Sequence, residues 1–164
     1  MAKIEVAGMD VFLADLRKLS QEARNINKGA LGEGAKVAVE LYGEAIESLP
    51  IRPDKLTGRQ HSERLYGVTE SEYAQLCNSY GIARFRNTSG GWNTSIGVSG
   101  YINTPSAQYG DQVPARLLLA AVDGGTEFRK PARVMSKASR SMKSEVEEAM
   151  RDYIDKKVNE IMGQ

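Results

Sequence analysis

Few side chains in this chain have both the type and the company that chemistry requires. His61 could act as a general base, but no serine or cysteine near it is identifiable as a nucleophile, and its polar surroundings suit a solvent-exposed histidine. Cys77 falls on the apolar side of a short helical pattern, the setting of a small buried hydrophobe and not of a reactive thiol. With one cysteine and one histidine, the chain offers neither a disulfide framework nor a metal-ligand cluster, and no cofactor is implied. The carboxylate pairs Glu145 with Glu148 and Glu44 with Glu47 have helical spacing but lie on solvated faces. The pairs Gly90-Gly91 and Gly124-Gly125 lack the length and the lysine of a phosphate-cradling loop, and turn formation accounts for both.

Charge is concentrated in one place. Arg129, Lys130, Arg133, Lys137, Arg140 and Lys143 follow Phe128 closely and could track a phosphate backbone with salt-dependent affinity. The same bases could instead face carboxylates across a subunit interface, or be partly neutralised by the acidic residues that follow them. The segment has no aromatic interleaving and no recognition-helix context, so the interface reading carries more weight.

These bases lead into the clearest helix of the sequence. From Ala138 onward the apolar positions Met142, Val146, Ala149, Met150, Tyr153, Ile154, Val158 and Ile161 recur in steps of three and four and draw one stripe. Earlier, Lys3 to Val6 reads as a short strand, and Asp10 offers an N-cap to a first helix over Val11 to Leu19. The polar stretch from Ser20 to Asn27 reads as a helix continuation or a bend. A second helix runs from Ala30 to Leu49 and is closed by Pro50 and Pro53. Gly29, Gly32, Gly34 and Gly43 should each cost it about 0.5–1 kcal/mol, which implies close approach of another backbone or side chain, unless the helix starts late, near Ala35.

The segment of about 51–80 is an elaboration. It begins as an irregular polar loop, and Thr69 with Glu72 then has capping-box spacing for a short helix carrying Tyr73, Leu76, Cys77 and Tyr80 and ended by Gly81. Ile82 to Asn87 and Trp92 to Val98 flank a Thr-Ser-Gly-Gly turn and predict a β-hairpin. Turn formers from Gly100 to Val113 predict a surface loop. Pro114 opens Ala115 to Val122, which reads as a helix, with a strand as the rival. The expected fold is α+β: a small antiparallel β-sheet with a central hairpin, packed against a long helix of the N-terminal half and a long C-terminal helix.

Composition sets the frame. The chain has 164 residues, 41% of them hydrophobic and 26% charged, which suits one domain over 1–164. A formal net charge of +1 argues for neither nucleic acid nor an acidic partner, so only local charge counts as evidence. There is no secretory h-region, and no apolar run approaches the length of a bilayer span, so we expect a soluble protein with no membrane partner.

The order of these features resembles a known family. KIEVAGMDVFLADLRKLSQEA, a small-residue-rich helix ending at Pro50, Thr57-Gly58, strands, and then Val122 to Thr126 leading through Lys130-Pro131-Ala132-Arg133 into the last helix are similar to the neck or tail-completion proteins of tailed bacteriophages, the head–tail joining and Z-type minor tail proteins. Gln60 replaces that family's leucine after Thr-Gly, Gly124 stands for the usual aromatic, and Val134-Met135 replaces Pro-Phe. The resemblance implies a virion structural protein with no catalytic residues. It would form a homo-oligomeric ring, a hexamer or dodecamer, between the capsid connector or head-closure proteins and the tail terminator or tail tube, with passive DNA contact in its channel. On that reading Arg129, Lys130, Arg133, Lys137 and Arg140 are interface or channel residues, and Thr57, Gly58, Gly124, Gly125 and Thr126 fix loop geometry. The alternative is a nucleic-acid-binding accessory protein that uses the basic 129–143 segment.

Overall fold

The computed structural model describes residues 9–53, 65–89 and 91–163, and it opens on a single helix, α1, Met9–Glu47, of 39 residues. The two expected N-terminal helices are therefore one. The stretch between them is polar, but Ile26 is buried within it and keeps the apolar face continuous. Asp10 lies inside the first turn and does not precede it as a cap. The late start near Ala35 does not occur. The expected strand at Lys3 to Val6, His61 and the Thr57-Gly58 pair lie outside the described residues.

Three of the four helix glycines have an explanation in the tertiary structure. A Cβ at Gly29 would fall 2.2 Å from the Tyr153 hydroxyl, one at Gly34 would fall 2.7 Å from Met150, and one at Gly43 would fall 2.5 Å from the Tyr80 hydroxyl. Gly32 meets nothing within 4 Å. Tyr153 and Met150 belong to the last helix, α4, Val134–Met162, which runs antiparallel to α1: Gly29 faces Tyr153, whereas Leu41 to Ser48 face Val134 to Ser141. Of the predicted α4 stripe, Ala138, Val146, Ala149, Met150 and Tyr153 lie beside α1, yet every residue of the stripe stays only half-covered.

At the other end of α1 lies the densest core. After β1 (Ile51–Arg52), β2 (Leu65–Tyr66) and β3 (Val68–Thr69) comes α2, Glu70–Cys77. Its capping box is present: Thr69 accepts from the Glu72 amide and Glu72 from the Thr69 amide. The helix ends at Cys77, with Asn78 as C-cap, earlier than the Gly81 stop expected, because Tyr80 and Gly81 are drawn into a strand.

The predicted hairpin forms in two sections. β4 (Tyr80–Ile82) pairs with β7 (Ile96–Val98), and β5 (Arg86–Thr88) pairs with β6 (Gly91–Asn93). Ala83, Arg84 and Phe85 on one arm oppose only Thr94 and Ser95 on the other, so the register slips by one residue between the sections.

The expected loop over Gly100 to Val113 is instead a second hairpin, β8 (Tyr101–Ser106) with β9 (Gly110–Pro114). The turn formers were misleading because they do two different jobs. Only those at the tip make the turn, while Pro105 sits in the irregular stretch between Asn103 and Ser106, where its missing N–H costs no regular ladder bond. Ile102 and Val113, directly paired, supply the buried side.

Ala115–Gly124 is a helix, α3, which settles the helix-or-strand alternative. Pro114 is its N-cap and not its first residue. Ala115, Leu118, Leu119 and Val122 face inward and join Ile46, Leu49, Val68, Leu76, Ile102 and Val113 in one cluster. A short strand, β10 (Arg129–Lys130), pairs parallel with β2, as β1 does with β3. The fold is α+β, but among the described residues its strands form five separate two-stranded pairs and not one sheet.

Gly67 and Gly32 make opposite predictions. Gly67 has φ +78, and a Cβ there would sit 1.9 Å from the Pro50 carbonyl oxygen, whose partner is the Val68 amide. Gly67→Ala should lower stability by about 3 kcal/mol through left-handed strain and backbone overlap. Gly32→Ala should raise it by about 0.5–1 kcal/mol, since helix propensity improves and nothing is displaced. Urea denaturation of the two variants checks both signs.

Candidate functional site

The basic segment is not one surface, because its residues are placed by different elements. Arg129 is half-buried in β10, and its guanidinium donates to the Gly67 carbonyl at 2.6 Å. Burial pulls its pKa down from the ordinary value, the nearby Glu72 carboxylate pulls it up, and Arg52 adds to the lowering. Arg129 thus ties β10 to the turn before β3. Lys130, one residue on, is exposed.

Arg133 precedes α4 with φ 57 and ψ 23, a left-handed conformation that costs a non-glycine residue about 1–2 kcal/mol. The surroundings impose it. The Ala132 amide donates to the Val122 carbonyl at 2.9 Å and the Arg133 amide to the Asp123 carbonyl at 3.0 Å, so the chain is held against the end of α3 before it can turn into α4. The Arg133 side chain makes no cap and is exposed. Lys137 and Arg140 follow on exposed positions of the first turns of α4.

Asp123, which no motif in the sequence singles out, performs the capping. Its buried carboxylate accepts from the Met135 amide at 2.7 Å, from the Ser136 amide at 3.1 Å and from the Ser136 hydroxyl. Those amides are the second and third of α4, the two that an N-cap side chain ordinarily serves. Arginine at the cap position cannot serve them. The absence of Ser, Thr, Asp or Asn there was the only local hint that an acceptor must come from elsewhere.

The loop residues divide likewise. Gly125 has φ 80, and a Cβ on it would meet Pro131 at 3.0 Å, so a side chain is excluded twice over. Thr126 exchanges backbone bonds with Arg129, and its hydroxyl accepts from the Phe128 amide at 3.3 Å. Gly124 ends α3, and a Cβ on it would meet nothing within 4 Å.

A second buried carboxylate, Glu72, accepts from the Thr69 amide at 2.8 Å and the Thr104 hydroxyl at 3.0 Å, so it joins α2 to β8. Each buried acid is engaged by backbone amide and hydroxyl donors, Ser136 supplying the hydroxyl for Asp123 and Thr104 for Glu72. Cys77 is half-buried beside the core cluster. Among the described residues no group of three or more His, Cys, Asp or Glu could hold a metal ion, and no helix is long and apolar enough to cross a membrane.

What the arrangement does offer is uncovered surface. Val11, Phe12, Leu13 and Leu16 are exposed on the first turns of α1, beyond the end of α4. Near the opposite end, Leu41, Glu44, Ala45 and Ser48 of α1 and Val134, Lys137, Ala138 and Ser141 of α4 line a groove of about 370 Å³.

Removing Arg129 should cost stability where removing its neighbours does not. Arg129→Ala should lower it by about 1–3 kcal/mol, because the Gly67 carbonyl loses a charge-assisted bond. Lys130→Ala, Lys137→Ala and Arg140→Ala should stay within about 0.5 kcal/mol. Asp123→Ala, which strands two helix amides, should cost about 2–4 kcal/mol. Thermal melts of the five variants test the order. No protein-family model matches the chain, and no match was found among curated proteins or among solved structures.

Proposed function

We propose that this chain is a virion structural protein of the phage neck or tail-completion class. It works as a homo-oligomeric ring, a hexamer or dodecamer, that joins the capsid connector and head-closure proteins to the tail terminator or tail tube. The observation that carries this reading is the uncovered apolar surface of the α1–α4 pair. Phe12 and Leu16 stand exposed at the free end of α1, and no residue of the α4 stripe is fully buried. Contiguous apolar surface on a helix marks a place for a partner. Long helices that expose apolar faces suit assembly better than catalysis, and the buried carboxylates are both engaged in holding the fold.

A second reading has its own observation. Lys130, Arg133, Lys137 and Arg140 are all exposed within the eleven residues from 130 to 140 and could sit against phosphates, either lining the ring's channel or serving a monomeric nucleic-acid-binding accessory protein. Two measurements separate the readings. Sedimentation should give a six- or twelve-subunit particle, ring-shaped in negative stain, that binds duplex DNA weakly. A monomer binding duplex tightly, and losing about two orders of magnitude of affinity between about 50 mM and about 200 mM salt, would establish the accessory protein instead.

A further inference from the structure

The exposed start of α1 and the groove beside its end are complementary. On a helix the residues Phe12, Leu16, Leu19 and Ala23 fall on one face. This face continues through Ile26 and Ala30, which are buried. Phe12, Leu16 and Ala23 on it are exposed, and Leu19 is half-buried. Asp15 and Glu22 border this stretch on one side, where Asp15 is paired with Lys18 at 3.5 Å, and Arg17 and Arg24 lie on the other side.

The groove repeats this layout in reverse. Leu41, Ala45, Val134 and Ala138 supply an apolar floor, with Glu44 on the α1 rim and Lys137 on the α4 rim. Glu40 and Arg140 carry the same two signs one turn further along their helices and are also exposed. A helix laid on the floor can therefore put its basic flank over Glu44 and its acidic flank over Lys137.

The projecting turns cannot reach this groove in their own chain. Phe12 and Leu41 ride on the same helix and are separated by about 44 Å at 1.5 Å per residue. We infer that the first turns of α1 of one copy dock in the α1–α4 groove of a second copy, with Phe12 and Leu16 on the floor, Asp15 exchanging Lys18 for the second copy's Lys137, and Arg17 toward Glu44. The occupant is another copy of this chain, and the contact rests on the proposed reading that the chain works as an assembly of itself. It joins two different patches, so repetition generates a ring if the rotation closes and a filament if it does not. If two copies instead satisfy both contacts at once about a twofold axis, the product is a dimer. The charged flanks set partner choice and orientation more than raw affinity.

The test is a charge exchange read by sedimentation equilibrium of the full chain. Lys137→Glu should weaken self-association at least tenfold, Asp15→Lys should do the same, and the double variant should recover most of the loss. Phe12→Glu should abolish association with helix content unchanged, since that side chain lies outside the core. An assembly whose strength is unaffected by Phe12→Glu, or a double variant no better than the worse single one, would overturn the docking while leaving a ring built on other surfaces standing. A dimer that obeys the charge exchange supports the docking and removes the ring. A wild-type chain that stays monomeric at every concentration overturns both.

Discussion

A helix of 39 residues covered by one of 29 cannot be covered along its whole length, and the shape of the molecule follows from that mismatch. α4 starts beside the last turns of α1 and runs back along it, so the unmatched length accumulates at the N-terminal end of α1. Burial tracks the same gradient. Ile46 and Leu49 are within the densest cluster, Ile26 and Ala30 are buried outside it, and Phe12 and Leu16 are open. Resistance to local opening should fall in that order, because the number of apolar neighbours falls with it.

The pairing of α1 with α4 depends on a joint outside both helices. α3 is anchored in the core by Leu118, Leu119 and Val122, and the next residue, Asp123, reaches across to the first amides of α4. The carbonyls of Val122 and Asp123 hold the approaching strand at Ala132 and Arg133. The left-handed turn at Arg133 is therefore over-determined, as strained backbone must be if it is to persist. One carboxylate, accepting from two amides and the Ser136 hydroxyl, thus holds the start of a long helix against the core. Gly29 and Gly34 then let that helix come close, because Tyr153 and Met150 occupy the space where their side chains would be.

The parts legible in the sequence were those fixed by local spacing. The α4 stripe and the Thr69–Glu72 capping box each need only residues within a few turns, and the Trp92 hairpin needs only its own alternation. α1 was read in pieces because the run from Ser20 to Asn27 carries a single core contact, Ile26, which is too sparse to register as a period. The β8–β9 hairpin was hidden because its pattern of one paired apolar couple, Ile102 with Val113, is interrupted by Pro105 and by turn residues. The tertiary bonds of Asp123 and Arg129 are silent in the sequence for a different reason. One caps a helix twelve residues away, the other bonds a carbonyl 62 residues away, and neither distance leaves a signature in neighbouring sequence. Of the loop residues, Gly125 shows a positive φ that a side chain would resist, whereas Thr57 and Gly58 fall outside the described residues.

Placing both halves of a proposed contact on one helix has a mechanical consequence. The distance between the bare turns at Phe12 and the groove at Leu41 is set by the rise per residue and not by loops, so subunit spacing in an assembly built this way would be as stiff as α1 itself. Stiffness requires that the helix stay straight, and its interior glycines could have allowed a bend. Gly29, Gly34 and Gly43 are each braced by a large side chain from another element, Tyr153, Met150 and Tyr80. Gly32 is the exception. It lies between two braced positions on the length that α4 already covers, so a kink there would have to break contacts on both sides of it. The same bulky side chains that make glycine necessary in α1 therefore also keep it rigid, and the free end of the helix is presented at a fixed distance and angle from the groove.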